Sequence, residues 1–424
     1  MRMRYGLKWL AAGAAGCVVL AACSGGGDSG PSGDGVEAGA DLETYQEAFA
    51  DVEPVTLSFQ LAVGSESLVA APVQRYAEAV EEWSDGKIEI ELLYSGSRVA
   101  LQEMTSALAE GLVDMGHHVT TYEADTYPVT SLGADLLFLQ EPTPVVGTLQ
   151  LTAAWAEAGA VPGPFKDELI ENGIQPLVPF APNQGSGLLC RGEPVRSLDD
   201  ARGKVIRAGS EGQAGELEAL GATPVTLPLL EVYDGLQRGV VDCVIASLAM
   251  AEGGGFIEAG DSWTLDDRFG FSTYPSGVSI GLDRWESLPL VAQQLLWDRL
   301  DVFLEETVAS TAGFEMFSTA LETSTASGVT IETASDDLAQ AVNGYFDEAR
   351  DRYAEADLPT ADAADIVDDV VETHEKWLGI VQELGYEDEV GWADAQTWFA
   401  ENEVDLEAYV DRLRSEILDP NRPE

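Results

Sequence analysis

Three histidines and four cysteines are all that this 424-residue chain offers for imidazole or thiolate chemistry. His117 and His118 are neighbours, and neighbours on a strand point to opposite faces, so the pair does not share a metal without other donors. One of them, His118, is a candidate to face a cleft. The chain has no His-Glu-x-x-His pair, no Gly-x-x-x-x-Gly-Lys phosphate cradle and no Cys-x-x-Cys, and no segment reads as a nucleophile elbow. Gly253-Gly254-Gly255 follows a strand but lacks dinucleotide-binding spacing and reads as a loop. An enzyme would therefore want for a nucleophile and base, and no metal or cofactor is called for.

The N-terminus sets the compartment. Arg2, Arg4 and Lys8 precede an apolar run from Trp9 to Leu20, too short for a membrane span, which reads as a signal peptide over residues 1–22. Leu20-Ala21-Ala22-Cys23 resembles a bacterial lipobox, which implies acylation of Cys23 and a lipid anchor followed by a flexible Gly/Ser/Asp-rich tether, residues 23–54. Cys17 leaves with the leader. Cys190 and Cys243 remain, either bridged, as an oxidising compartment permits, or two buried thiols. Losing three basic residues moves the net charge from −53 to −56, which excludes nucleic acid as a partner. The chain is nevertheless 45% hydrophobic, enough for packed cores, so the acidity reads as a solvated surface suited to saline surroundings.

The elements that must position any site follow from periodicity. Val55 to Leu61 alternates as a strand, and Val69, Val73, Tyr76, Val80 and Trp83 recur at helical spacing up to Gly86. Lys87 to Leu92 alternates again, Leu101 to Glu110 reads as a helix, and Leu112 to Met115 restarts a strand. This βαβαβ pattern is doubly wound, and it returns from Lys204 to Ala246. The two copies share a phrase, Leu108-Ala109-Glu110-Gly111-Leu112-Val113-Asp114 against Leu236-Gln237-Arg238-Gly239-Val240-Val241-Asp242. After Pro289 the pattern predicts one helix of about 35 to 40 residues, bracing both lobes and stopping at Gly328.

Ser197-Leu198-Asp199-Asp200-Ala201-Arg202-Gly203-Lys204-Val205-Ile206-Arg207, then Leu220-Gly221-Ala222-Thr223-Pro224-Val225 and Glu231-Val232-Tyr233-Asp234-Gly235-Leu236-Gln237-Arg238-Gly239-Val240-Val241-Asp242, resemble the DctP-type solute-binding proteins of tripartite ATP-independent (TRAP) transporters. Gly86-Lys87-Ile88-Glu89-Ile90 and Trp285-Glu286-Ser287-Leu288-Pro289 fit as well, so the resemblance covers roughly residues 55 to 350. It implies an α/β, two-lobed periplasmic-binding-protein-like fold, type II-like, with a long bracing helix. The lobes are expected over 55–184 with 280–318 and over 185–279 with 319–356, with an acidic helical extension at 357–424.

The resemblance also implies a function: an extracytoplasmic, membrane-anchored binding protein that takes a small organic acid between its lobes and delivers it to the permease subunits. Arg207 is then the carboxylate clamp, its planar guanidinium offering two parallel hydrogen bonds. Rough alignment adds His118 and Thr120 from the first lobe, Asn183 and Gln184 at the crossover, and Ser247, Tyr274 and Ser276 from the second. Gly187 stands where some members carry a second arginine, with Arg191 four residues on. Ala246 stands where some carry an asparagine, so the polar shell differs from the sialic-acid type. The family topology also places Cys190 near Cys243. The alternatives are a binding lipoprotein of an ATP-driven importer and an extracellular lipoprotein enzyme.

Overall fold

The computed structural model describes residues 35–181, 184–273, 276–311 and 314–424. The expected signal peptide over residues 1–22, Cys23, Asn183 and Tyr274 lie outside the described residues. Eleven strands are described: β1 Val55–Gln60, β2 Ile88–Leu93, β3 Met115–His118, β4 Ile174–Ala181, β5 Ser186–Cys190, β6 Val205–Ala208, β7 Thr223–Thr226, β8 Cys243–Ser247, β9 Ser262–Thr264, β10 Ser276–Gly281 and β11 Thr330–Glu332. They form two sheets, β2-β1-β3-β10-β4 and β11-β9-β5-β8-β6-β7.

In the first lobe β1 and β2 run parallel from Val55↔Ile88, with β3 parallel on the other side of β1. Leu57 and Phe59 are fully buried under the helix Ala71–Trp83, whose Val73, Tyr76 and Val80 make the facing stripe. In the second lobe β6, β7 and β8 are parallel. The chain crosses between sheets from β4 to β5 and back from β9 to β10. That return comes at Ser276, four residues earlier than the expected boundary at 280, because β10 inserts antiparallel between β3 and β4.

The shared phrase does the same work twice. Gly111 and Gly239 take φ of +69° and +68°, the left-handed stop that glycine adopts without a Cβ penalty. Asp114 then accepts the Ser58 N–H at 2.8 Å, and Asp242 accepts the Val205 N–H at 2.8 Å, each locking a neighbouring strand. Because this turn consumes Leu112–Asp114 and Val240–Asp242, β3 and β8 begin at Met115 and Cys243, three residues later than alternation suggests.

The single long helix expected after Pro289 is instead three helical pieces, Leu290–Asp298, Leu300–Glu306 and Phe314–Ser327, with a π-helical turn at Thr307–Thr311. Polar side chains make the breaks. Arg299 lies over Trp83 at 3.7 Å and pairs with buried Asp301, whose carboxylate takes the Val302 N–H. Thr307 and Ser310 donate back to the carbonyls four residues before them, which favours bending. The bracing role survives: Leu300–Glu306 packs on Ala71–Trp83 of the first lobe, and Phe314–Ser327 packs on Leu248–Gly253 of the second.

Residues 357–424 are helical, chiefly Ala363–Glu383, Ala395–Glu401 and Glu407–Leu413. Trp377 and Trp392 are buried there. Cys190 and Cys243 oppose each other across β5 and β8, Cα atoms 4.0 Å apart, and their sulfurs are bonded. Among the described residues no helix is long and apolar enough to cross a membrane.

Candidate functional site

Parallel strands point their carboxyl ends to one edge of a sheet, and in open α/β folds ligands bind beyond that edge. Arg207 sits there on β6, paired with Val225 of β7 and Val244 of β8. Its side chain is 4% exposed, and its Nε donates to Leu227 O at 3.1 Å, which fixes the plane of the guanidinium. Paired residues share a face of the sheet, so Val244 and Ala246 of β8, with Leu189 and Gly187 of β5, lie on the Arg207 side. The two positions where some relatives carry polar groups are therefore paired with each other beside Arg207. Gly187 has no room for a side chain: a Cβ would come within 2.1 Å of Thr264 O.

Ser247 falls on the opposite face, opposite Ser186, and its Oγ accepts the Met250 N–H as the cap of Leu248–Gly253. The pleat thus separates Ser247 from Arg207. Ser186, which sequence reading passed over, is buried with an Oγ that meets no hydrogen-bond partner among the described residues. Arg191 is turned away as well, donating to the carbonyls of Leu236 and Gln237.

In the first lobe, His118 is 1% exposed with Nε2 2.8 Å from Ser279 Oγ, and burial, with His117 beside it, pushes its pKa down to about 3. His117 points to the other face, against the Phe59 ring at 5.6 Å. Ser279 is the centre of a Gly-x-Ser-x-Gly sequence, Gly277 to Gly281, that the sequence reading overlooked. It lies inside the extended strand β10 and is fully buried, not on the exposed strand-to-helix turn a nucleophile needs. Among the described residues no group of three or more His, Cys, Asp or Glu could hold a metal. Thr120 is buried in the turn after β3, and Ser276 is half-buried at the start of β10, facing Ala181. Gln184 is 2% exposed and spans the crossover, donating to Glu141 O at 2.8 Å.

The lobes also meet at a cluster of acids that no periodicity reveals. The helix Glu211–Ala219 starts just after β6, and first-lobe Asp135 lies against it, its Oδ1 2.8 Å from where a Cβ on Gly212 would stand. Burial, then nearby Glu211, raises Asp135 to about 6. Glu216 is 2% exposed, and burial pushes it up to about 8 even though it accepts the Ser272 N–H. A carboxyl whose pKa rises on folding stabilises fully below its unfolded value, and the contribution is lost as pH climbs toward the folded one. From pH 5.5 to 7, Glu216 should cost the fold about 2 kcal/mol. Urea midpoints at the two pH values check this: the drop should shrink in Glu216→Gln, and an equal drop in both proteins would exclude Glu216 as its source.

Residues 59–356 match the model of DctP, bacterial extracellular solute-binding protein family 7. The ectoine-binding periplasmic protein TeaA of Halomonas elongata is 27% identical over 200 residues, which are 47% of this chain and 57% of TeaA. A solute-binding protein of Albidiferax ferrireducens is 28% identical over 182 residues, 41% of this chain and 49% of the relative, so the chain spans about half the length of these curated relatives. A TRAP periplasmic solute-binding protein from Marinobacter aquaeolei VT8 superposes with a TM-score of 0.63 at 25% identity, covering 75% of this chain and 100% of that one. A marine metagenome TRAP solute-binding protein specific for pyroglutamate shares the fold, with a TM-score of 0.63 at 18% identity over 76% and 99% of the two chains. The two-sheet architecture accompanies a match over residues 59–356, most of the chain, which shows that the chain belongs to the bacterial extracellular solute-binding protein family 7, the DctP family.

Proposed function

We propose that the protein is the extracytoplasmic solute-binding lipoprotein of a TRAP-type secondary transporter, taking a small monocarboxylate between its lobes and handing it to the membrane permease subunits. Arg207 carries this reading. It lies toward the carboxyl edge of the parallel strands β6, β7 and β8, the edge beyond which open α/β folds take ligands, it is buried, and its Nε is anchored so that the fork presents one orientation. The monocarboxylate follows from Gly187 and Ala246. With no room beside β9 for a second arginine, one clamp takes one carboxylate. Pyroglutamate and ectoine, the ligands of two of the proteins described above, each carry a single carboxylate. Thr120, Gln184 and Ser276 supply polar groups at the seam, together with His118, whose Nε2 pairs with Ser279 while its buried Nδ1 meets no partner among the described residues.

Mass spectrometry of small molecules released from the purified protein tests the assignment. A monocarboxylic acid is the expected result, and a bound solute without a carboxylate would overturn it. Anchoring is tested separately. Metabolic label from a fatty-acid analogue should be incorporated into the protein and vanish in Cys23→Ser, and label retained by that variant would remove Cys23 as the anchor.

A further inference from the structure

The helical extension after residue 356 lies beyond the family match, and the solved relatives described above are covered almost completely by about three quarters of this chain. Its placement is not peripheral. The first half of Ala363–Glu383 packs on the helix Asp336–Ala354, which rests on the second lobe, and the helix as a whole lies along Val146–Ala160 of the first. Beyond it the chain turns back over the crossover between lobes, and Trp392 stands at the centre of that turn, 3% exposed.

One residue there touches every moving part. The indole Nε1 donates to Pro142 O of the first lobe at 2.8 Å, while the Trp392 backbone N–H donates to Asp267 of the second at 2.8 Å. The ring lies so close to the crossover that a Cβ on Gly185 would be 2.9 Å from it, and it meets Phe317 of the bracing helix edge-on at 5.0 Å. On either side, Asp388 accepts the N–H of Val146 at the start of its helix, and Phe399 stacks on Phe314. A hinge opens by changing backbone angles at a few crossover residues. Separating the lobes would pull Pro142 away from Asp267 and break one or both of the partly buried Trp392 hydrogen bonds.

We propose that residues 388–399, riveted by Trp392, form a strap across the hinge that limits how far the lobes separate. The strap requires the two-lobed hinge but not the identity of the solute, so its failure and the failure of the carboxylate reading are distinguishable.

The test measures opening without ligand. Spin labels on Glu78→Cys and Glu218→Cys, exposed helix positions of the first and second lobes, report the interlobe distance by pulsed dipolar spectroscopy in the Cys23→Ser background. Trp392→Ala should move the mean distance outward by more than about 2 Å and broaden the distribution, the scale of a true hinge rearrangement. Trp392→Phe, which keeps the ring contacts and loses the indole N–H, should fall between. If Trp392→Ala does not fold, Asp267→Ala, at an exposed residue, frees only the second-lobe end and should also widen the distribution. A folded Trp392→Ala or Asp267→Ala with the parent's distance distribution would overturn the strap.

Discussion

Arg207→Ala is expected to weaken binding of the co-purifying acid by about two to four powers of ten. When the lobes enclose a ligand, guanidinium and carboxylate lose water together, and removing one partner of such a pair typically costs about 3 to 5 kcal/mol. Arg207→Lys should lose much of the same affinity, since a compact ammonium keeps the charge but cannot offer two parallel N–H bonds. Arg207 is buried and bonded to Leu227 O, so the alanine variant should also melt somewhat earlier. The Leu227 bond by itself, with its charged donor, accounts for about 1.5 to 3 kcal/mol of that, below the binding effect. Calorimetry on the three proteins with the identified acid, beside melts without it, separates the two. A loss of affinity under tenfold in a folded Arg207→Ala protein would place the carboxylate elsewhere.

Removing the Cys190–Cys243 bond should cost about 4 kcal/mol of stability, the chain-entropy value for a closed loop of this size. The cysteines are 53 residues apart in sequence, and the loop between them contains β6, β7 and most of the doubly wound half of the second lobe. Both are fully buried, in the strand that receives the chain from the first lobe and in its neighbour, so the bond also holds the β5–β8 register. Urea unfolding of Cys190→Ala/Cys243→Ala against the parent gives the cost. Thiol titration of the unfolded, unreduced Cys23→Ser protein, freed of the segment that carries Cys17, gives the bond itself. Two titratable thiols, or an unchanged urea midpoint, would contradict it.

Local pattern carried a large part of this molecule. Alternation at Val55–Leu61, the stops at Gly86, Gly111 and Gly239, and the run ending at Arg207 all express their conformation within a few residues, because side-chain period and positive φ are properties of the chain itself. The duplicated Gly-to-Asp phrase was legible twice for the same reason. Other features depend on residues far apart in sequence. β10, Ser-Gly-Val-Ser-Ile-Gly, has too little alternation to announce a strand, and only pairing with β3 and β4 makes it one. The pleat that set Ser247 opposite Arg207 exists only once β8 pairs with β6, and the Thr264 carbonyl leaves Gly187 no space only once β5 lies between β8 and β9. Arg299 broke the bracing helix because Trp83 and Asp301 were there to receive it. Glu216 reads as an ordinary solvated helix residue, and became a proton-holding group only when Asp135, Tyr345 and Tyr353 closed over it. Burial and charge environment are set by whatever the fold brings alongside, and the neighbours of a residue in sequence do not contain that information.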